Sequence, residues 1–345
     1  MSVDESVRAP LSDTTSNEDI SQQAAGTAQQ TASATQKAVG TTPKPSHMRG
    51  ILIGLLSYVF WGLMPLFWKL LDNVDSLEVL AHRLLWSVVF LVPICLISCR
   101  AVFIGLFRQR RAVLILLGAG LICTFNWGVF IFAINSGHVL QTSMGYYINP
   151  LMSIAIGLLF FKEKLSLIQK IALVLATIGV LYFTIDYGSF PWLSLALATS
   201  FALYGALKKT GGYPALPALA VETTLVVPLA VVFITVLFFI PGHAFFAPDA
   251  SGAISSASLL TSFLLIGGGI LTFIPLLLFS DAVNTVPLSW MGFMQYIAPT
   301  ISLLLGVFAF QEVFTHAHAV CFVLIWTGLL LIVFESIIKQ RQSRR

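Results

Sequence analysis

The sequence predicts an all-α membrane protein of ten transmembrane helices, built as two inverted five-helix repeats. Three observations lead there. The 345 residues are 57% hydrophobic and only 10% charged, whereas a soluble domain carries about 25% charged residues. The charges cluster, leaving apolar runs of membrane-crossing length between them. The two halves of the chain also match each other at a fixed offset. The first observation excludes a soluble enzyme, a nucleic-acid binder and a disordered scaffold, because there is too little charge to clothe one core in water.

Residues 1–49 stand apart. They hold nine charges, are rich in Ser, Thr, Gln and Ala, and have almost no large apolar side chain. Such a segment buries too little surface to offset its ordering entropy, so it reads as a disordered cytoplasmic tail. It lacks the apolar core of a signal peptide.

A helix crosses ~30 Å of hydrocarbon with about 20 apolar residues. The first span lies between Arg49 and Lys69, and the second runs from near Leu80 to Cys99. Residues 112–161 contain no Asp, Glu, Lys or Arg, and Asn135-Ser136-Gly137-His138 divides them into the third and fourth spans. The fifth covers 167–185 and the sixth 190–207. The seventh covers 216–240 and ends at Pro241-Gly242. The last three cover 259–280, 287–310 and 315–334, before a basic tail at 338–345.

Lys and Arg collect on the cytoplasmic side. With the N-terminus inside, the loops 100–111, 161–170 and 208–216 and the C-terminal tail hold thirteen of the fifteen that follow residue 49. The outer loops then carry Asp72, Asp75, Glu78, Asp186 and Asp249, with Lys69 at the edge. The connection 281–287 should lie inside, yet it has no Lys or Arg. The expected location is the inner membrane of the cell, multi-pass, with both termini cytoplasmic. The net charge of +4 reflects this topology and does not point to an anionic partner.

A shift of 149 residues lays Gly118 on Gly267, Gly120 on Gly269 and Ala133-Ile134-Asn135 on Ala282-Val283-Asn284. It also lays Tyr147-Ile148-Asn149-Pro150 on Tyr296-Ile297-Ala298-Pro299, Ser153 on Ser302, Gly157 on Gly306, Glu163 on Glu312 and Gly179 on Gly328. A weaker match relates Ser57, Trp61 and Gly62 to Ser200, Tyr204 and Gly205. The units are 50–189 and 190–337. Each holds five spans, an odd number, so the copies cross the membrane in opposite directions. The lysines of Lys162-Glu163-Lys164 are lost in Gln311-Glu312-Val313, as that reversal requires. Inverted repeats around a midplane site are the architecture of secondary transporters.

Three segments carry a resemblance: His82-Arg83-Leu84-Leu85-Trp86-Ser87, Gln141-Thr142-Ser143-Met144-Gly145-Tyr146-Tyr147-Ile148-Asn149-Pro150-Leu151, and Gly292-Phe293-Met294-Gln295-Tyr296-Ile297-Ala298-Pro299-Thr300. They resemble the signatures of the RarD group in the EamA branch of the drug/metabolite transporter superfamily. The resemblance covers residues 50–337 and implies a ten-helix, double-EamA inner-membrane carrier. It supplies no ligand.

Ionisable groups inside spans are functional candidates. Arg83 offers a forked donor to an anionic or carboxylate-bearing substrate, with His82 as a hydrogen-bonding or protonatable partner; snorkelling to headgroups is the plainer reading. Glu222 in the seventh span is the candidate coupling-proton site, and a hydrated interfacial Glu is its alternative. The helix rise places it on the order of 15–20 Å from Arg83, too far for an ion pair. Gln141, Tyr146, Tyr147 and Asn149 precede Pro150, and Gln295 and Tyr296 precede Pro299. Pro150 and Pro299 are expected helix breakers that free these groups for a ligand. Asn126, Trp127 and Trp86 complete the set, with interhelical hydrogen bonding as the alternative.

Glu163 and Glu312 end their spans and are expected to cap or brace helices, Asp281 and Asn284 to bracket a loop, and Gly267-Gly268-Gly269 to allow close helix packing. Cys95, Cys99, Cys123 and Cys321 read as packing, and His316 and His318 share no helix face, so no metal and no cofactor are expected. No GxxxxGK[ST] segment is present. The expected function is secondary transport, in the export direction, of a small organic metabolite or drug-like compound by alternating access. Its partners are that substrate, the bilayer and a coupled proton, with a homodimer allowed and no nucleic acid. A membrane scaffold or lipid-handling protein is the alternative, followed by an intramembrane enzyme, for which paired acids or an HExxH motif are lacking.

Overall fold

The apolar runs fold into helices because a backbone in hydrocarbon must satisfy its polar groups within the segment. The computed structural model describes residues 47–136, 138–239, 243–248, 254–309 and 315–343. In chain order the helices are α1 (His47–Trp68), α2 (Ser76–Ser98), α3 (Arg100–Arg108), α4 (Arg110–Asn135), α5 (Val139–Phe160), α6 (Leu167–Tyr187), α7 (Trp192–Gly211), α8 (Ala215–Phe238), α9 (Ser256–Thr285), α10 (Leu288–Gln295), α11 (Ile297–Phe308) and α12 (His316–Ser343). A short 3-10 turn, Lys69–Leu71, extends α1. Local chemistry sets several ends. Asp75 caps α2 through the amides of Leu77 and Glu78, Ser166 and Gln169 form a capping box on α6, and Gly188 ends α6 at φ +76°.

Among the described residues, eight segments are long and apolar enough to cross a membrane, with α10 and α11 together forming one of them. In α5 the apolar stretch is shorter, Met144–Phe160, and α7 carries Lys208 and Lys209 in its last turn.

Several expectations change. The supposed tail 1–49 ends sooner, since α1 begins at His47; residues 1–46 lie outside the described residues. The loop 100–111 contains α3, a surface helix that buries Phe103 and Leu106 one turn apart and exposes its arginines. The connection 281–287 is short, because α9 continues to Thr285 and leaves only Val286 and Pro287. Its missing charge is supplied from elsewhere: Lys209 Nζ donates to the Val286 carbonyl at 3.0 Å, and Arg49 faces Asp281 at 3.6 Å. Pro150 does not break its helix, and α5 runs through it. The ninth span breaks instead between Gln295 and Ile297, where Pro299 leaves the carbonyl four residues back without a helical donor. The basic end of the chain is helical as far as Ser343.

The packing relates residues 149 apart. A Cβ on Gly179 of α6 would lie 3.3 Å from Cys321 Cα in α12, and one on Gly328 of α12 would lie 3.1 Å from Ala172 Cα in α6. Residues 172 and 321, like 179 and 328, differ by that offset, so each contact is the other with the halves exchanged. Ser57 Oγ donates to the Pro275 carbonyl at 3.0 Å, and Asn126 Nδ2 donates to Ser200 Oγ at 2.8 Å; again 126 and 275 correspond, as do 57 and 200. The matched glycines behave alike too. Gly120 receives α8 at Glu222 and Val226, while Gly269 receives α2 at Trp86 and Ser87.

Candidate functional site

Arg83 lies about two turns into α2 and is held by three other helices. Its Cζ is 4.5 Å from the ring centroid of Trp68, the last residue of α1, and 4.6 Å from that of Trp127 in α4. Contacts of this kind contribute about 0.5–2 kcal/mol each. Nε donates to Thr272 Oγ1 in α9 at 2.9 Å, and Thr272 donates to the Gly268 carbonyl. Gly268 leaves room for this arrangement, since a Cβ there would sit 3.4 Å from Trp68 and 3.7 Å from Arg83 Cγ. Tyr146 of α5 is within electrostatic range of the guanidinium and is 46% exposed. Among the described residues no carboxylate pairs with Arg83.

The other candidates separate into three groups. His82 and Trp86 lie one turn apart on α2 and both pack on Phe245. His82 Nδ1 accepts from Trp86 Nε1 at 3.2 Å, its ring lies against Phe245 at 4.5 Å, and its Nε2 is 4.0 Å from Glu78. Glu78, read from sequence as a loop charge, is buried in α2 and accepts the amides of Ala244 and Phe245. Asn126 spends both amide hydrogens on Leu197 and Ser200. Tyr147 and Tyr296 are buried in one cluster, and among the described residues their hydroxyls have no hydrogen-bond partner. The Asn149 Oδ1 is buried and equally unpaired, while Gln295 accepts from Ser153 at 3.3 Å. The side chain of Gln141 and residues 310–314, with Glu312, lie outside the described residues.

Comparison with known proteins identifies the family of the chain. The model of the EamA-like transporter family matches residues 48–185. The uncharacterized transporter YojE of Bacillus subtilis (strain 168) is 40% identical over 301 residues, covering 86% of this chain and 97% of the relative. The chain belongs to the EamA family and is of the RarD type. Protein RarD of Streptomyces exfoliatus is 37% identical, with 86% and 91% of the two chains covered, and protein RarD of Escherichia coli (strain K12) is 33% identical, with 86% and 98% covered. A crystal structure with 17% identity superposes with a TM-score of 0.63, covering 83% of this chain and 97% of the other, and shows the fold alone. The family and YojE are transporters by name, and the chain is a multi-pass membrane protein.

In this RarD-type chain the structure adds residues that sequence reasoning passed over. Trp68 and Thr272 escaped because they are uncharged and one ends a span. Lys208 was counted as a loop charge. It is buried in α7, with its Nζ 2.7 Å from Glu222 Oε2 and side chains only 4% and 3% exposed. Tyr204 lies against Lys208. The signal was there: a Glu inside a span needs a counter-ion, and Lys208 and Lys209 are the two nearest lysines in sequence.

Glu163, between α5 and α6, caps the N-terminus of α10. Its two oxygens accept the amides of Leu288 and Ser289 at 2.7 and 2.8 Å, and Lys209 lies 3.5 Å away. Burial of this carboxyl works to raise its pKa, but the amides and the lysine outweigh burial and hold it below the usual carboxylate value. A depressed carboxyl contributes stability that is full above its unfolded pKa, about 4.3, and is lost as pH falls through the folded value. Glu163→Gln should therefore cost about 1–2 kcal/mol near pH 7, and its gap from the native chain should close as the pH drops below about 4. Thermal unfolding in detergent from pH 3 to 7 measures this, and a gap independent of pH contradicts it.

Proposed function

We propose that the protein is a secondary transporter of a small organic compound, an exporter, working by alternating access between two inverted five-helix units, 50–189 and 190–337. The observation that carries this reading is the reciprocal packing of residues 149 apart. Gly179 meets Cys321 as Gly328 meets Ala172, which is how two halves related by a two-fold axis touch. Counting α5 and α7 as spans gives five per half, and the Lys/Arg distribution supports both termini on the cytoplasmic side of an inner membrane. The substrate site in this reading is the cluster around Arg83, with Trp127 and Tyr146. Tyr147, Asn149, Gln295 and Tyr296 line the path between the halves. His82, Trp86 and Asn126 hold its walls.

Glu222 is the coupling site in this reading, and Lys208, Tyr204 and Cys123 are the ionisable groups facing it. A proton on Glu222 would break its pair with Lys208 and release α7 from α8. Transport by Glu222→Gln, normalised to folded protein, should lose its pH dependence; unchanged coupling removes Glu222 from the mechanism. The whole reading is tested by counterflow in proteoliposomes, using compounds that raise the thermal stability of the purified protein. A carrier shows uptake stimulated by unlabelled substrate on the opposite side. No stimulation by any stabilising compound points instead to a scaffold or lipid-handling role.

A further inference from the structure

We infer that the Arg83 cluster takes a monocarboxylate that carries no ammonium group: an organic acid anion, not an amino-acid zwitterion. The inference rests on reading this cluster as the transport site and names its substrate class. Trp68 and Trp127 cover the guanidinium at 4.5 and 4.6 Å, and Arg83's one hydrogen bond among the described residues runs from Nε to Thr272. The Nη donors have no hydrogen-bond partner among the described residues, and they lie in the guanidinium plane. A carboxylate approaching in that plane takes two parallel N–H bonds, the geometry for which arginine is fitted. The cation also has no counter-ion among the described residues. An uncompensated charge inside a span favours an anionic ligand over a neutral or zwitterionic one.

Among the described residues the cluster has no free carboxylate to pair with an ammonium group. Of the carboxylates within the helices nearby, Glu78 is occupied by the amides of Ala244 and Phe245, and Glu222 by Lys208. The indole faces turned toward the cluster, the other groups that hold ammonium, are taken by the guanidinium itself. An amino acid would bring its ammonium beside the Arg83 cation with no free carboxylate among the described residues to offset the repulsion.

The test is binding to the full chain in detergent, by calorimetry and by indole fluorescence. A panel of aromatic and aliphatic monocarboxylates is compared with the matching primary amides and α-amino acids. At least one carboxylate should bind about tenfold or more tightly than both its amide and its amino acid. Arg83→Gln should lose that preference, and Arg83→Lys, which keeps the charge but loses the fork, should retain part of it. Panel discrimination by the unaltered chain needs no variant, so a variant that fails to fold leaves the test intact. If no carboxylate outbinds its amide and amino acid, or if folded Arg83→Gln keeps the preference, the inference fails. Counterflow without a carboxylate preference overturns this inference alone, and carboxylate binding without counterflow overturns the transport reading alone.

Discussion

Lys208→Met should destabilise the folded protein by about 3–5 kcal/mol, and Lys208→Met/Glu222→Met should recover most of that loss. The two side chains meet at 2.7 Å with almost no exposure. Removing one leaves the other as an uncompensated charge among Tyr204, Gly120 and the tail of α7. Removing both leaves only apolar volume, which this core accepts. Thermal unfolding of the two single variants and the double variant forms a double-mutant cycle. Losses that simply add in the double variant would mean the pair is not the unit that matters.

Gly269→Ala should be the most damaging change in the Gly267-Gly268-Gly269 run, and Gly267→Ala should be close to silent. A Cβ on Gly269 would sit 2.7 Å from the Trp86 carbonyl carbon and 2.8 Å from the Ser87 nitrogen. These are backbone atoms, and they cannot turn aside as a side chain can. The helices α2 and α9 must separate, at a cost of about 1–3 kcal/mol. Separation also breaks the bond from Ser87 Oγ to the Gly269 carbonyl and draws Arg83 away from Thr272, one turn along α9. Ligand binding should therefore fall along with stability. At Gly267 the nearest atom to an added Cβ is 4.0 Å away, on Phe67. Melting temperatures and binding for the two variants decide the matter; equal effects would show that the run acts as a flexible stretch and not as one tight contact.

The span pattern was legible because each apolar run between charges is a local property. Nearly every helix core falls where the runs placed it, from α1, which begins two residues before Arg49, to α12 after Thr315. The offset of 149 residues was legible for the same reason, and the contacts of Gly179 and Gly328 give it a physical meaning. Errors arose where a charge was assigned by position alone. Glu78 and Lys208 sit near span ends, so both were read as loop charges, yet each is buried against a partner: an amide pair 166 and 167 residues away for one, and Glu222 for the other. Pro150 was read as a break although α5 absorbs it, while the matched Pro299 accompanies one.

The sequence by itself determined the solvent, the helices and their family, because hydrophobic run length, charge placement and short motifs act within one or two turns of chain. It also put Arg83 and Glu222 forward, since a charge in an apolar run is visible without any fold. Only the tertiary structure decided what those charges face. Arg83 meets two indoles, contributed by α1 and α4, and donates to Thr272 of α9, and Glu222 is matched by Lys208. Such partners lie as much as 189 residues apart in the chain, and packing, not local propensity, brings them within hydrogen-bond reach.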